Sequence, residues 1–240
     1  PPFSSVAGSI AKKQFISIKK IYCSSYIKSF SFKESFDNYQ NKFFLDIGYE
    51  NSCLIIYKEN SFKLIQHLNI GGNHITKDIS KIFKISIIEA EKIKKCLNNL
   101  GMTFSNSIDE NNNINDTHLL KNISDKNIEI DLLKRVVFAR IEEILNLIFK
   151  DIDQSQFVKI DEKSILVFTG EGSKILNKNS ITLNDKFDYF DEINFFDENT
   201  TLVCDSYFKF IQMNNPNEIS LVPKKSGKYG FFEKMFNYFK

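Results

Sequence analysis

The chain has no tryptophan, three histidines, and only four prolines and four cysteines in 240 residues. Each scarcity excludes something. Cys23, Cys53, Cys96 and Cys204 lie far apart, form no C-x-x-C pair and have no histidine close enough to complete a zinc pattern, so a reduced chain is expected. Long apolar runs are missing too, and none approaches the ~20 residues a membrane-spanning helix requires. There is no charge excess to point to a nucleic-acid partner, the formal net charge being +2. No nucleophile stands beside a base, so independent catalysis is not expected.

What is present is the composition of an ordinary globular protein, 42% hydrophobic and 26% charged, long enough to bury a sizeable core. The 24 phenylalanines, with abundant Lys, Asn and Ile, fit the codon bias of an AT-rich genome, which discounts runs such as Asn111-Asn112-Asn113. The start at Pro1-Pro2-Phe3 is neither a signal peptide nor an initiating Met, and reads as a cut N-terminus. Charge is unevenly placed. From Pro223 to Lys240 five lysines face a single acid, Glu233, a local +4 that leaves the remainder at -2.

Three short apolar stretches, Phe43 to Ile47, Cys53 to Tyr57 and Leu64 to Ile70, predict consecutive strands. The short Glu59-Asn60-Ser61 loop makes part of the sheet antiparallel. After Gly71-Gly72 the period changes: Ile75, Ile79, Ile82 and Phe83, then Ile87, Ala90, Ile93 and Leu97, fall at helical spacing. Ser86 and Glu89 have the capping-box form, which puts a joint near Lys84. Residues 102–127 are polar and aperiodic and read as a surface insertion. A stripe of Leu132, Val136, Ala139, Ile144, Leu147 and Ile148 predicts a helix over 131–152, and Ser164 to Phe168 a strand that runs into the turn Thr169-Gly170-Glu171-Gly172-Ser173. Residues 200–213 predict a last core helix or strand pair.

Three constellations could carry chemistry. Asp46-Ile47-Gly48 closes an apolar strand with a carboxylate, as suits a nucleotide phosphate and its hydrated metal, although taken alone an Asp that merely starts a turn is the favoured explanation. Gly71-Gly72 feeds directly into a helix whose first N–H groups suit an anion, or else simply turns the chain while Asn73 or Thr76 caps the helix and His74 lies at the surface. Glu91 and Lys94, three apart on one helix face, offer an acceptor and a donor to a ribose or adenine edge, or form a solvated ion pair.

The order D-x-G, meander, Gly71-Gly72-Asn73-His74-Ile75-Thr76-Lys77-Asp78-Ile79, then Glu89-Ala90-Glu91-Lys92-Ile93-Lys94, resembles the second half of the actin-like ATPase superfamily, specifically the bacterial cell-division family FtsA. Ala139-Arg140-Ile141-Glu142-Glu143-Ile144 resembles that family's A-R-x-E-E-I helix, Thr169 to Ser173 its T-G-G-G-S turn, and Ile21 to Tyr26 the segment just before its second half. The resemblance implies an α/β fold, an actin-like (ribonuclease H-like) mixed sheet with flanking helices. It implies that Asp46 and Gly48 face phosphates and Mg2+, Asp46 as metal residue, Gly71 and Gly72 the nucleotide edge, Glu91 and Lys94 the ribose and adenine, and that Gly170, Gly172 and Ser173 close over the nucleoside of ATP. The family's D-x-G-G-G-T turn reads here Asp46-Ile47-Gly48-Tyr49-Glu50-Asn51-Ser52, and Glu171 replaces another glycine, so ATP affinity is expected to be poor. The family's first half is absent from this chain, and at most a weak ATPase is expected.

Residues 1–40 read as the end of a preceding subdomain and a connector, 41–213 as the actin-like domain, and 214–227 as a linker containing Pro216, Pro223, Ser226 and Gly227. On a helix over 228–240, Phe231, Phe232, Met235, Phe236 and Phe239 share one face with lysines mostly off it, the pattern of an interfacial anchor for an anionic bilayer. A helix docked on the protein's own core is the alternative. The resemblance favours the anchor and implies a peripheral protein at the cytoplasmic face of the inner membrane, at the division site, where it tethers the tubulin-like polymer FtsZ, self-associates along an actin-like axis and helps assemble the septum. Another actin-like ATPase, a pilus-assembly relative or a sugar kinase, is the alternative function.

Overall fold

The computed structural model describes residues 21–99, 128–150, 162–176, 190–199 and 201–213. The 102–127 insertion, the 214–227 linker and the 228–240 helix inferred from sequence lie outside the described residues.

The three predicted strands form as β1 (Asn41–Ile47), β2 (Ser52–Lys58) and β3 (Ser61–Leu68), an antiparallel meander. Glu59 and Asn60 adopt positive φ of 50° and 62°, the left-handed pair whose twist matches a two-residue hairpin. β4 (Ser164–Thr169) and β5 (Glu192–Phe195) add to the other side of β1 in parallel. The mixed sheet has the order β3-β2-β1-β4-β5.

Every residue of β1 and β4 is buried, because helices cover both faces, and this explains apolar runs in place of alternation. On one face Phe43, Leu45, Leu54, Ile56, Leu166 and Phe168 pack against α2 (Gly72–Phe83), α3 (Ile87–Asn99) and α4 (Ile130–Phe149). On the other, Phe44, Ile55, Tyr57, Ile165 and Val167 meet Phe32 of α1 (Ser24–Lys33). α1 in turn buries Ile27 and Phe30 against Phe210 of α5 (Leu202–Met213). The fold is therefore the α/β mixed sheet with flanking helices expected from the sequence.

The joint between α2 and α3 falls at Lys84, whose φ of 52° ends α2, and Ser86 and Glu89 cap α3 reciprocally, the Glu89 N–H donating to Ser86 Oγ at 3.3 Å and the Ser86 N–H to Glu89 Oε2 at 3.0 Å. Residues 202–213 resolve to a helix. The stripe on α4 needs correction. Leu133, Val137, Ile141 and Leu145 are buried along with Val136, Ile144 and Ile148, whereas Ala139 faces solvent. A helix this apolar carries a wide buried arc, and the sequence does not show its centre.

Candidate nucleotide-type cleft

β1 and β4 end side by side, with Asp46 registered against Thr169, and the chain leaves both strands through glycine turns. The carboxyl ends of parallel strands are where open α/β sheets place ligands. The turns converge. A methyl group on Gly71 would sit 2.6 Å from the Gly48 carbonyl oxygen and 2.8 Å from Tyr49 O, and the Gly72 position lies 3.2 Å from the Gly172 Cα. Gly170 has φ +89°, and a side chain there would lie 2.4 Å from both Asp46 Oδ1 and the Ile47 carbonyl. Gly48, Gly71, Gly72, Gly170 and Gly172 thus form one cluster, and the lack of side chains is used to bring backbone against backbone.

That closeness corrects the expectation about the start of α2. Its first N–H groups are already taken: Gly72 donates to Gly48 O at 2.9 Å, Asn73 to Tyr49 O at 2.7 Å and His74 to Gly71 O at 3.0 Å. Gly71 N–H donates to His74 Nδ1 at 3.2 Å, so His74, half-buried, caps the helix in place of Asn73 or Thr76. Thr76 Oγ1 hydrogen-bonds within the cluster described next, and Asn73 Nδ2 donates to Glu50 Oε1 at 2.6 Å. Asn73 Oδ1 is buried and has no hydrogen-bond partner among the described residues.

Glu91 and Lys94 do meet at the cluster, on the α2 and α3 side, but not as a solvated pair. Lys94 is 8% exposed, and its ammonium donates to Gly72 O at 3.1 Å, Thr76 Oγ1 at 2.8 Å and Glu91 Oε2 at 2.7 Å. Those contacts use all three of its protons. The ammonium therefore holds Glu91 and the first turn of α2 in place, and Glu91 Oε1 lies 3.8 Å from Lys95. Burial works against ionisation of Glu91, but hydrogen bonds from Lys94 and Thr76 outweigh it and hold its pKa below the ordinary value.

On the opposite side, Asp46 has partners that the sequence reading missed. Oδ2 accepts from Ser25 Oγ at 2.6 Å and from Lys28 Nζ at 2.7 Å, and Lys28 also reaches Glu198 Oε1 at 2.5 Å. Thr169 Oγ1 donates to the same Glu198 oxygen at 2.6 Å. The Lys28 and Asp46 side chains are only 7% and 11% exposed. Desolvation opposes the Lys28 charge, yet Asp46 and Glu198 together raise its pKa, while Glu198, disfavoured by burial, is lowered by Lys28 and Thr169. Ser25 lies in the Ile21 to Tyr26 stretch, but Lys28 and Glu198 carry no sequence signal: they stand 18 and 152 residues from Asp46 and only the fold unites them.

Glu50 is held by Asn73 and lies 3.9 Å from Lys77, and Tyr49 is exposed. Glu171 likewise lies outward on Lys174 at 2.7 Å. Ser173 is buried and donates to the Gly170 carbonyl at 2.7 Å, closing its own turn. Two further motifs meet away from the cleft, where Arg140 of α4 binds Asp78 of α2 through two hydrogen bonds of 2.6 and 3.0 Å. Among the described residues no group of three or more His, Cys, Asp or Glu side chains could hold a metal ion.

A mixed sheet with strand-end glycine turns of this kind defines the actin-like class, and solved structures bear this out for the fold. MreB5 of Spiroplasma citri bound to ADP matches with a TM-score of 0.56 at 16% identity over 87% of this chain and 64% of that one. The PilM-PilN type IV pilus biogenesis complex matches at TM-score 0.52 and 12% identity, over 79% and 46%. Within that class, the model of the cell division protein FtsA matches residues 43–196, and the chain belongs to the FtsA family. FtsA of Rhizobium meliloti is 30% identical over 133 residues, 55% of this chain and 29% of that protein, and FtsA of Agrobacterium fabrum 29% identical over the same span. The matched region thus spans under a third of these curated relatives.

Proposed function

We propose that the chain tethers division filaments to an anionic membrane, through the 228–240 helix, and presents the actin-like domain of residues 41–213 to a tubulin-like polymer, FtsZ, on the cytoplasmic side. The observation that carries this reading is the phenylalanine face of residues 231–239 with flanking lysines, joined by a linker-type sequence to a core that belongs to the FtsA family. Apolar burial and attraction to anionic headgroups act together in such a segment, at about the strength of one lipid chain, so self-association along an actin-like axis supplies avidity. No helix of the described residues is long and apolar enough to cross a membrane.

ATP acts in this reading as a conformational ligand at the glycine cluster, with the partly exposed Glu91 carboxylate as the acceptor at its ribose and base edge. Lys94 is a positioning residue rather than a contact. Deleting Gly230 to Lys240 tests the tether: the full chain sediments with phosphatidylglycerol vesicles and the truncated chain stays in solution, and unchanged binding overturns the reading. Isothermal titration of the chain with ATP is expected to give an affinity weaker than micromolar, and submicromolar binding contradicts it.

A further inference from the structure

The carboxylate that ends β1 is the one expected to hold a divalent ion, and its surroundings do not fit one. Asp46 Oδ2 already accepts two hydrogen bonds, from Ser25 and Lys28. Oδ1 is packed against Gly170, where even a methyl group would come within 2.4 Å of it. A hydrated Mg2+ keeps several waters and near-octahedral space, neither of which a nearly buried, doubly engaged carboxylate provides. An ammonium 2.7 Å from the same oxygen would also repel a dication.

We propose that Lys28 is the resident cation of this cleft, so that the site takes an anionic phosphate ligand without divalent metal. The side chain bridges two carboxylates from distant parts of the chain, Asp46 and Glu198, as a bound ion would, and covers them with one positive charge against two negative. With two of its three donors spent on those carboxylates, the remaining N–H has no partner among the described residues and is the group a phosphate oxygen would meet. The inference rests on the nucleotide reading for the identity of the ligand, but not for the exclusion of metal, and the two are tested separately.

The metal arm uses Mn2+ alone, titrated into the full chain and followed by electron paramagnetic resonance. Wild type is expected to bind no Mn2+ that Asp46→Asn removes. Lys28→Ala is expected to gain a site at least about tenfold tighter than any residual Mn2+ binding of wild type, lost again when Asp46→Asn is added. Mn2+ binding by wild type that depends on Asp46, or no gain in the Lys28 variant, overturns the proposal. Should Lys28→Ala lose its fold by circular dichroism, Lys28→Ala with Glu198→Gln keeps the cluster's net charge at -1 and serves in its place. The nucleotide arm titrates wild type with ATP in Mg2+ and in EDTA. Affinities within about twofold support the proposal, and a tenfold or greater demand for Mg2+ overturns it. Absence of ATP binding in both media removes the nucleotide reading and leaves the Mn2+ arm to decide the cation.

Discussion

Two buried lysines flank one glycine cluster, and they are held in different ways. Lys94 sits with a carboxylate three residues away on its own helix, a hydroxyl and a backbone carbonyl, a cluster that sums to zero charge. Lys28 sits between two carboxylates brought from β1 and from the segment after β5, and that cluster sums to -1. In the first the two charges share one helix and the remaining contacts join it to α2; in the second the charges themselves come from three separate segments. The Lys28 cluster thus reports the docking of α1 and of the Glu198 segment onto the sheet.

The largest effect should come from Gly170→Ala, which attacks the Lys28 side alone. The substitution forces a side chain into left-handed backbone and against Asp46 Oδ1 and the Ile47 carbonyl, and a loss of about 4 kcal/mol in urea unfolding is expected. A loss below about 1 kcal/mol would show that the turn can relax away from Asp46. Next is Lys28→Met, which strands two carboxylates in a site with 11% and 19% side-chain exposure and should cost about 3 kcal/mol. Combining it with Asp46→Asn and Glu198→Gln should recover most of that cost, since the penalty lies in the uncompensated charges.

Lys94→Met should cost less, about 2 kcal/mol, because Glu91 is 27% exposed and can be hydrated when its partner leaves. Equal losses at the two lysines would erase the contrast drawn between them.

The smallest and broadest effect is with pH. Glu91 and Glu198 both have lowered pKa values, so their stabilisation is present above about 4.5, the ordinary value, and is lost as pH falls through the depressed values. Lys28 is raised, so its contribution is complete below about 10.5 and is lost only as pH climbs through the higher folded value. Lys28→Met should remove that alkaline limb and shallow the acid one, while Glu91→Gln should affect the acid limb alone, both measured by thermal unfolding across pH.

Much of the fold was legible in the residues. The meander announced itself because each strand is a short apolar run with a turn on either side, and the α2 to α3 joint because Ser86 and Glu89 satisfy each other's orphan N–H groups within four residues. The glycine positions of the cleft were legible as well, and all of them converge. Their use was not. At Gly71 and Gly172 the missing side chains let neighbouring parts of the protein approach closely, and the α2 N–H groups that looked free are consumed by Gly48 and Tyr49, contacts made across the chain. Glu50 has partners that its spacing did not announce, Asn73 and, at 3.9 Å, Lys77.

What the sequence determined by itself was much of what near neighbours govern: the periods that separate strand from helix, the hairpin, the Ser86 and Glu89 cap, the Glu91 and Lys94 pair, and the phenylalanine pattern of the last residues. These depend on interactions within one or two turns of chain, where spacing is geometry. Tertiary structure alone decided which cation stands at Asp46, because an ion cluster drawn from positions 28, 46 and 198 exists only after folding removes water from all three and makes their mutual attraction strong.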